Sequence, residues 1–355
     1  MDNNFSEVLK NYQNILWPVI EKNIHQSFII PSHCQIPSEY QSVVEYQQQI
    51  ILDYPSRKGK YFRPTMLLLT AQSLGVDLNF ALPTAAAMQI SEDWILNHDD
   101  IEDDSPDRRG QPALHKIYGT ELALNAGDAL HLIMWQALHR NFSLIGNDLS
   151  LAIISEFETM LNRTVLGQGI ELKWAKDQKY IPNYQDNYLV LESKTGYYTI
   201  AGPMRLGAIL AGASTQQLDH IYHFGVLLGR TFQIIDDYLD LTSDFSGQKK
   251  VKGNDIYEGK KTIMYIHLLQ NADSADLSSV KTIFAKSREQ KTATDVELII
   301  KLMEKYGSLE YSQKIAADFA SQARTIFDND LTFLKQEPYR SQISTAIDFV
   351  ANRKF

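Results

Sequence analysis

The chain has 355 residues, enough for a deep core, and its 44% hydrophobic and 22% charged residues with only 18 Gly and 11 Pro exclude disorder, collagen-like repeats and loop-rich β sandwiches. The balance of 34 Lys and Arg against 43 Asp and Glu gives a net charge of −9, which excludes nucleic acid as a partner and leaves phosphate binding to local basic clusters. The single Cys34 forms no internal disulfide, the N-terminus lacks the basic-then-apolar order of a secretory signal, and no apolar run reaches the roughly 18 residues of a spanning segment, so a cytoplasmic protein without a transmembrane segment is expected.

Residues 1–50 are mildly amphipathic and broken at IIPSHCQIPSEY, where Pro31 and Pro37 interrupt any helix; a helical N-terminal segment packed on the rest is expected. From residue 51 to 355 the pattern is that of one large domain. Apolar residues recur at spacings of three and four in TAAAMQISEDWIL, ELALNAGDALHLIMWQALH and FGVLLGRTFQIIDDYLDL, which predicts core-facing helices. Strand alternation is almost absent, and no Pro falls between Met204 and Gln336. The predicted class is all-α, a large single-domain helical bundle.

Two segments share the spacing D-D-x-x-D: Asp99-Asp100-x-x-Asp103 and Asp236-Asp237-x-x-Asp240. Residues four apart lie on one helix face, so each segment presents two carboxylates side by side at the end of an apolar helix. Such hard oxygen donors suit Mg²⁺, which keeps several waters and bridges one or two carboxylates to substrate phosphates. Solvated helix ends would account for one such segment more easily than for two.

A metal-bound phosphate needs further cations, and the sequence supplies them in four places. Lys60 and Arg63 follow Gly59, Arg108-Arg109-Gly110 follows the first acidic motif, Lys194-Thr195 precedes Gly196, and Lys250 and Lys260 follow the second motif. Each alone reads most simply as a solvated charge run. Their order around the two aspartate motifs gives them weight.

Taken together, GKxxRP, DDxxD with RRG behind it, GQ, KT, FQxxDDxxD and KxxGxD resemble the trans-isoprenyl diphosphate synthases, the polyprenyl synthetase family, in that family's order from about Gly59 to Lys261. The resemblance implies an all-α bundle around a deep central cavity, a homodimer, and Mg²⁺-dependent condensation of isopentenyl diphosphate with an allylic diphosphate. By position, Asp99, Asp103, Asp236 and Asp240 correspond to the metal ligands, with Asp100 and Asp237 beside them in the catalytic set. Arg108 corresponds to the allylic diphosphate contact; Gly59, Lys60, Arg63 and Arg109 to the isopentenyl diphosphate site; and Lys194, Thr195, Gln233, Lys250 and Lys260 to the groups around the allylic diphosphate and nascent cation. Gln168 and Glu171 match the family's GQxxD segment, with Glu for Asp, and the basic Arg353-Lys354 end also fits.

Glu92 departs from the pattern, because the family carries His or Gln seven residues before Asp99. A carboxylate there repels a diphosphate unless it is protonated or paired with a cation such as Lys60 or Arg109. Trp94, Ser91 and Ala87 form one stripe running back from Asp99, and Trp94 lies about 7.5 Å behind it along the helix. An aromatic at that place with Ile95 beside it is similar to family members that stop at geranylgeranyl diphosphate, with farnesyl diphosphate as the runner-up; the competing reading is that Trp94 is simply core packing. A class I terpene synthase uses similar aspartates but has no need of the Lys60, Arg63 and Arg109 cluster. The neighbouring His98 and His115 are read as structural.

Overall fold

The computed structural model describes residues 5–177, 181–243 and 252–353. Nearly all of them are helical, in the order α1 (Phe5–Ser27), α2 (Gln41–Ser56), α3 (Phe62–Ser73), α4 (Leu78–Glu102), a two-stranded hairpin of β1 (Asp107–Arg108) and β2 (Gln111–Pro112), α5 (Leu114–Tyr118), α6 (Thr120–His139), α7 (Asn141–Ile145) and α8 (Asn147–Lys176). The chain continues through α9 (Tyr184–Val190), a π-helical segment (Leu191–Ala201), α10 (Gly202–Leu210), α11 (Thr215–Thr242), α12 (Asn254–Glu258), α13 (Ile263–Asn271), α14 (Ser274–Phe284), α15 (Ala293–Lys305), α16 (Ser308–Asn329) and α17 (Tyr339–Ala351). The protein is all-α, as its periodicity predicts. Pro31 and Pro37 each precede a single 3₁₀ turn between α1 and α2, so the break falls where the prolines put it.

The chain divides into two compact units, the first comprising Met1–Phe157, Pro203–Leu218 and Leu334–Ile343, the second Glu158–Gly202, Asp219–Phe333 and Ser344–Phe355. In the first, α4 is the central rod and packs against α1, α3 and α6. It opens on an N-cap, the Asp77 carboxylate accepting from the Asn79 N–H, and its run of Ala85, Ala86 and Ala87 lets neighbouring helices approach closely. Its middle, from Thr84 to Asp93, is buried throughout, while Asp99 in its last turn and Asp103 at its C-cap stay partly open.

In the second unit, Ile234 and Leu241 of α11 join Ile263, Met264 and Leu268 of α13 and Ile299 and Met303 of α15 in one apolar core. The π-helical segment packs on α11 backbone to backbone: a Cβ on Gly229 would stand 2.3 Å from the Cα of Gly196. Only hydrogen side chains allow that approach.

Candidate functional site

The first acidic motif closes α4. Asp100 is fully buried and fully spoken for: the Arg108 guanidinium clasps it through Nε at 2.9 Å and through Nη2, and the Tyr54 hydroxyl of α2 donates to it. Asp99 lies 3.7 Å from the same guanidinium and, like Asp103, which caps the helix, remains half-buried. The helix C-terminus adds its own negative pole to this pair, so the local field favours a cation.

The hairpin delivers the two arginines to different places. Arg109 and Gly110 both have positive φ, 54° and 75°, the geometry of a tight two-residue hairpin turn. Arg108 therefore reaches Asp100, while Arg109 turns back to donate to the Tyr54 carbonyl at 2.8 Å and meets Asp93 at 2.7 Å. Gly59 lies beneath it; a Cβ there would sit 2.8 Å from Arg109 Nη2. The Gly59 carbonyl is held by Gln13 of α1 at 2.7 Å. Among the described residues, the four non-glycine positions with positive φ are Lys58, Tyr61, Asp104 and Arg109, all in the loops around this basic cluster. Strained backbone of this kind persists where surrounding structure enforces it, often at binding sites.

Glu92, the departure seen in the sequence, faces two cations: Arg63 at 3.3 Å and Arg109 at 3.7 Å. Arg109 is a partner the sequence offered for it, and Arg63 is one it did not single out. Sequence reasoning missed Asp93, buried beside it, whose carboxyl is pushed up to about 6 by burial against the pull of Arg109. Two consecutive acids in an otherwise apolar helix were the available signal, since acids on a buried face must be paired.

Trp94 stacks face to face on His131 of α6, centroids 4.1 Å apart, and Trp135 donates through Nε1 to His131 Nε2 at 2.9 Å. Ser91 and Ala87 are fully buried on the same helix. His98 packs edge-on against Trp94 with Asp128 3.7 Å away, and His115 lies 3.4 Å from Asp104.

The second motif lies inside α11 and repeats the arrangement with different partners. Asp237 is buried and meets Lys260 Nζ at 2.9 Å, while Gln233 donates its amide to the same carboxylate at 2.8 Å. The Thr195 hydroxyl in turn donates to Gln233 Oε1 at 2.8 Å, so Thr195, Gln233, Asp237 and Lys260 form one chain of contacts. Asp240 accepts the Asp255 backbone N–H at 3.1 Å, and Asp255 also approaches Lys260, at 3.5 Å. One lysine thus pairs with two carboxyls, with Asp240 beside them. Burial raises the pKa of Asp237 and Asp255 and pushes Asp240 up to about 6, with Lys260 pulling each the other way. Asp236 is the most open, 40% exposed at its side chain, and is met by Arg353 at 2.8 Å, whose guanidinium lies over the Phe232 ring at 4.3 Å. Lys194, on the π-helical segment, pairs with Glu171 at 2.6 Å. Lys250 and Lys354 lie outside the described residues.

Among the described residues, no three His, Cys, Asp or Glu side chains stand together as a ready metal cage. Divalent cations nevertheless fit the donor chemistry of each motif. The outer carboxylates Asp99 and Asp103, and Asp236 and Asp240, are hard oxygen donors, and the second motif carries more buried carboxyls than its lysine can balance.

The polyprenyl synthetase family matches residues 44–303, which span both acidic motifs and all four basic clusters. The chain belongs to that family. It is 31% identical over 296 residues to a short chain isoprenyl diphosphate synthase of Methanothermobacter thermautotrophicus, covering 83% of this chain and 87% of the relative. A geranylgeranyl diphosphate synthase of Methanosarcina mazei is 28% identical over 84% of this chain and 86% of its own length. Geranylgeranyl pyrophosphate synthetase of Pyrococcus horikoshii superposes with a TM-score of 0.83 at 26% identity, covering 99% of this chain and 100% of the other. Membership accounts for the order of the motifs, and Asp93 and Glu92 remain features of this chain's own site. Among the described residues no helix is long and apolar enough to cross a membrane.

Proposed function

We propose that this trans-prenyltransferase condenses isopentenyl diphosphate with an allylic diphosphate to give a short all-trans prenyl diphosphate, with geranylgeranyl diphosphate as its product. The observation that carries the reading is the repeated construction of the two aspartate motifs, each with its middle carboxylate buried and tied to a cation supplied from further along the chain. Asp99 and Asp103, and Asp236 and Asp240, would hold Mg²⁺. When bound, the ions supply positive charge to the leaving diphosphate as the allylic C–O bond breaks.

This chain's own residues do the rest. Arg108, locked by Asp100, presents a fixed fork to the allylic diphosphate, and Lys194 and Lys260 add charge where the leaving group accumulates it. The C–O electron pair departs with the diphosphate, and the double bond of isopentenyl diphosphate attacks the allylic carbon. Loss of a proton from the adduct restores a double bond. With its hydroxyl hydrogen given to Gln233, Thr195 keeps oxygen lone pairs to offer to developing positive charge. Arg63, Arg109, Lys60 and the Gly59 backbone bind the isopentenyl diphosphate. No nucleophilic side chain is needed, and the single Cys34 is exposed outside every motif.

Trp94, braced by His131, supports the assignment of product length, because a stacked ring yields less readily than a lone one. Exposed Leu122, Leu124 and Leu132 on α6 support a homodimer, which light scattering would test. Incubating the purified protein with Mg²⁺, isopentenyl diphosphate and allylic primers of five, ten and fifteen carbons (C5, C10 and C15), then sizing the products, tests the function. A C20 product is expected. A product stopping at C15 would transfer the assignment to farnesyl diphosphate, and cyclised hydrocarbon without elongation would overturn it.

A further inference from the structure

The two guanidiniums assigned above to isopentenyl diphosphate already have carboxylates against them. Asp93 Oδ1 lies 2.7 Å from Arg109 Nη2, and Glu92 lies 3.3 Å from Arg63 and 3.7 Å from Arg109. Both acids are interior groups, Asp93 at 1% exposure and Glu92 at 7%. Asp93 is poorly satisfied for a buried carboxylate. Apart from Arg109 it has only a long contact from Gln89 at 3.4 Å, and its Oδ2 has no hydrogen-bond partner. Nor does the buried hydroxyl of Tyr61, which flanks the same cluster. A buried ion held on one oxygen is costly to keep and is readily exchanged for a better-matched partner. A diphosphate is a carboxylate's rival for the same donors, with more oxygens and more charge.

We propose that Asp93, assisted by Glu92, is a specificity-determining internal competitor: its carboxylate occupies the Arg109 guanidinium until isopentenyl diphosphate displaces it, so this residue sets the affinity for that one substrate. The inference rests on the assignment of Arg109 to isopentenyl diphosphate. Arg109 keeps its place during the exchange, because its Nη1 remains on the Tyr54 carbonyl. The groups facing Asp93 are Gln89 and Glu92 from α4, Tyr61 from the loop before α3, and Arg109 from the hairpin. Burial, with Glu92 adding to it and Arg109 opposing, pushes the Asp93 carboxyl up to about 6. Above that pH the ionised carboxylate competes fully; below it the neutral acid releases Arg109. The KM for isopentenyl diphosphate therefore falls as pH falls through about 6.

Asp93→Asn tests this, since the amide keeps the side chain's size and shape but carries no charge. At pH 8 the variant is expected to lower the KM for isopentenyl diphosphate about tenfold, the worth of one pKa unit, while leaving kcat and the allylic KM in place. Between pH 8 and 5.5 the wild-type KM should drop relative to that of Asp93→Asn, whose profile reflects only the substrate's own ionisation. Glu92→Gln should act in the same direction and less strongly, and it serves as the test if a thermal melt shows Asp93→Asn to be unfolded. Unchanged or raised KM at pH 8, or parallel pH profiles, would overturn the competition. Arg109→Ala separates the two levels: a KM that stays flat for isopentenyl diphosphate removes the site assignment itself, whereas a raised KM beside an inert Asp93→Asn removes the competitor alone.

Discussion

The two acidic motifs are spelled alike and charged differently. In the first unit Asp100 receives a two-pronged arginine and a tyrosine hydroxyl, so its negative charge is matched where it sits. In the second, Lys260 serves Asp237 and Asp255 together while Asp240 relies on a backbone N–H, and the group stays short of positive charge. A planar fork fixes one carboxylate in one orientation, whereas an ammonium is a point charge that several can share. The same five-residue spelling therefore gives a rigid, neutralised anchor in one unit and an acid-rich cluster in the other. The partners, contributed from eight and 23 residues further along, decide which.

The strongest way to break this contrast is to remove each partner. Arg108→Ala leaves Asp100 buried without its cation and should cost about 3–5 kcal/mol in urea unfolding. Lys260→Ala should cost clearly less, because the carboxyls it leaves already tend toward the neutral form and can take up protons. Equal losses would show that the two motifs are not differently balanced.

Next in size, Asp99→Asn and Asp236→Asn should each cut turnover by about 10²–10³-fold with unchanged circular dichroism, as expected for loss of one preorganised electrostatic contact. Wild-type turnover in either variant would confine metal binding to the other motif. A further pH response is expected from the second motif, distinct from that of Asp93. Asp240, raised to about 6, is an acid whose ionisation opposes folding, so the metal-free protein loses its contribution as pH rises through that value. Asp240→Asn should melt above wild type at pH 8, and the gap should close at pH 5. Metal affinity should move the opposite way, falling below pH 6 as protons compete for Asp240, which calorimetric Mg²⁺ titration at two pH values would detect.

The smallest effect compares the residues five places before each motif. Trp94→Ala should lengthen the prenyl product by opening the stripe floored by Ser91 and Ala87. Its counterpart Thr231, hydrogen-bonded to the Leu227 and Ala316 carbonyls, should on replacement by Ala lose about 1 kcal/mol and leave product length alone. Chromatographic sizing of both product sets checks the pair, and an unchanged distribution for Trp94→Ala makes that residue core packing.

What the sequence made legible follows from periodicity and spacing. Helices α4 and α11 announce themselves through apolar residues three and four apart, and the aspartates through their repeated interval. The hairpin does not, since two-residue strands carry no alternation to read. The π-helical segment around Lys194 is equally silent because its apolar and small residues suit an α-helix as well. Tyr54 and Asp100 are 46 residues apart, and only folding makes that pair visible. Asp93 carried a signal, an acid adjoining Glu92 in an apolar run, but its partner came from a turn that the sequence had not declared.

The backbone contact between Gly196 and Gly229 ties the π-helical segment to α11 without any intervening side chain. Thr195 and Gln233 sit next to that weld, so the hydroxyl proposed to face the reaction and the amide steadying Asp237 are cut from one stiff splint. Thermal motion then shifts them together. The amide hydrogens along this seam should be among the slowest in the protein to exchange with heavy water, and a methyl group at either glycine would act as a wedge, driving the Thr195 hydroxyl away from Gln233 while leaving every named side chain in the sequence.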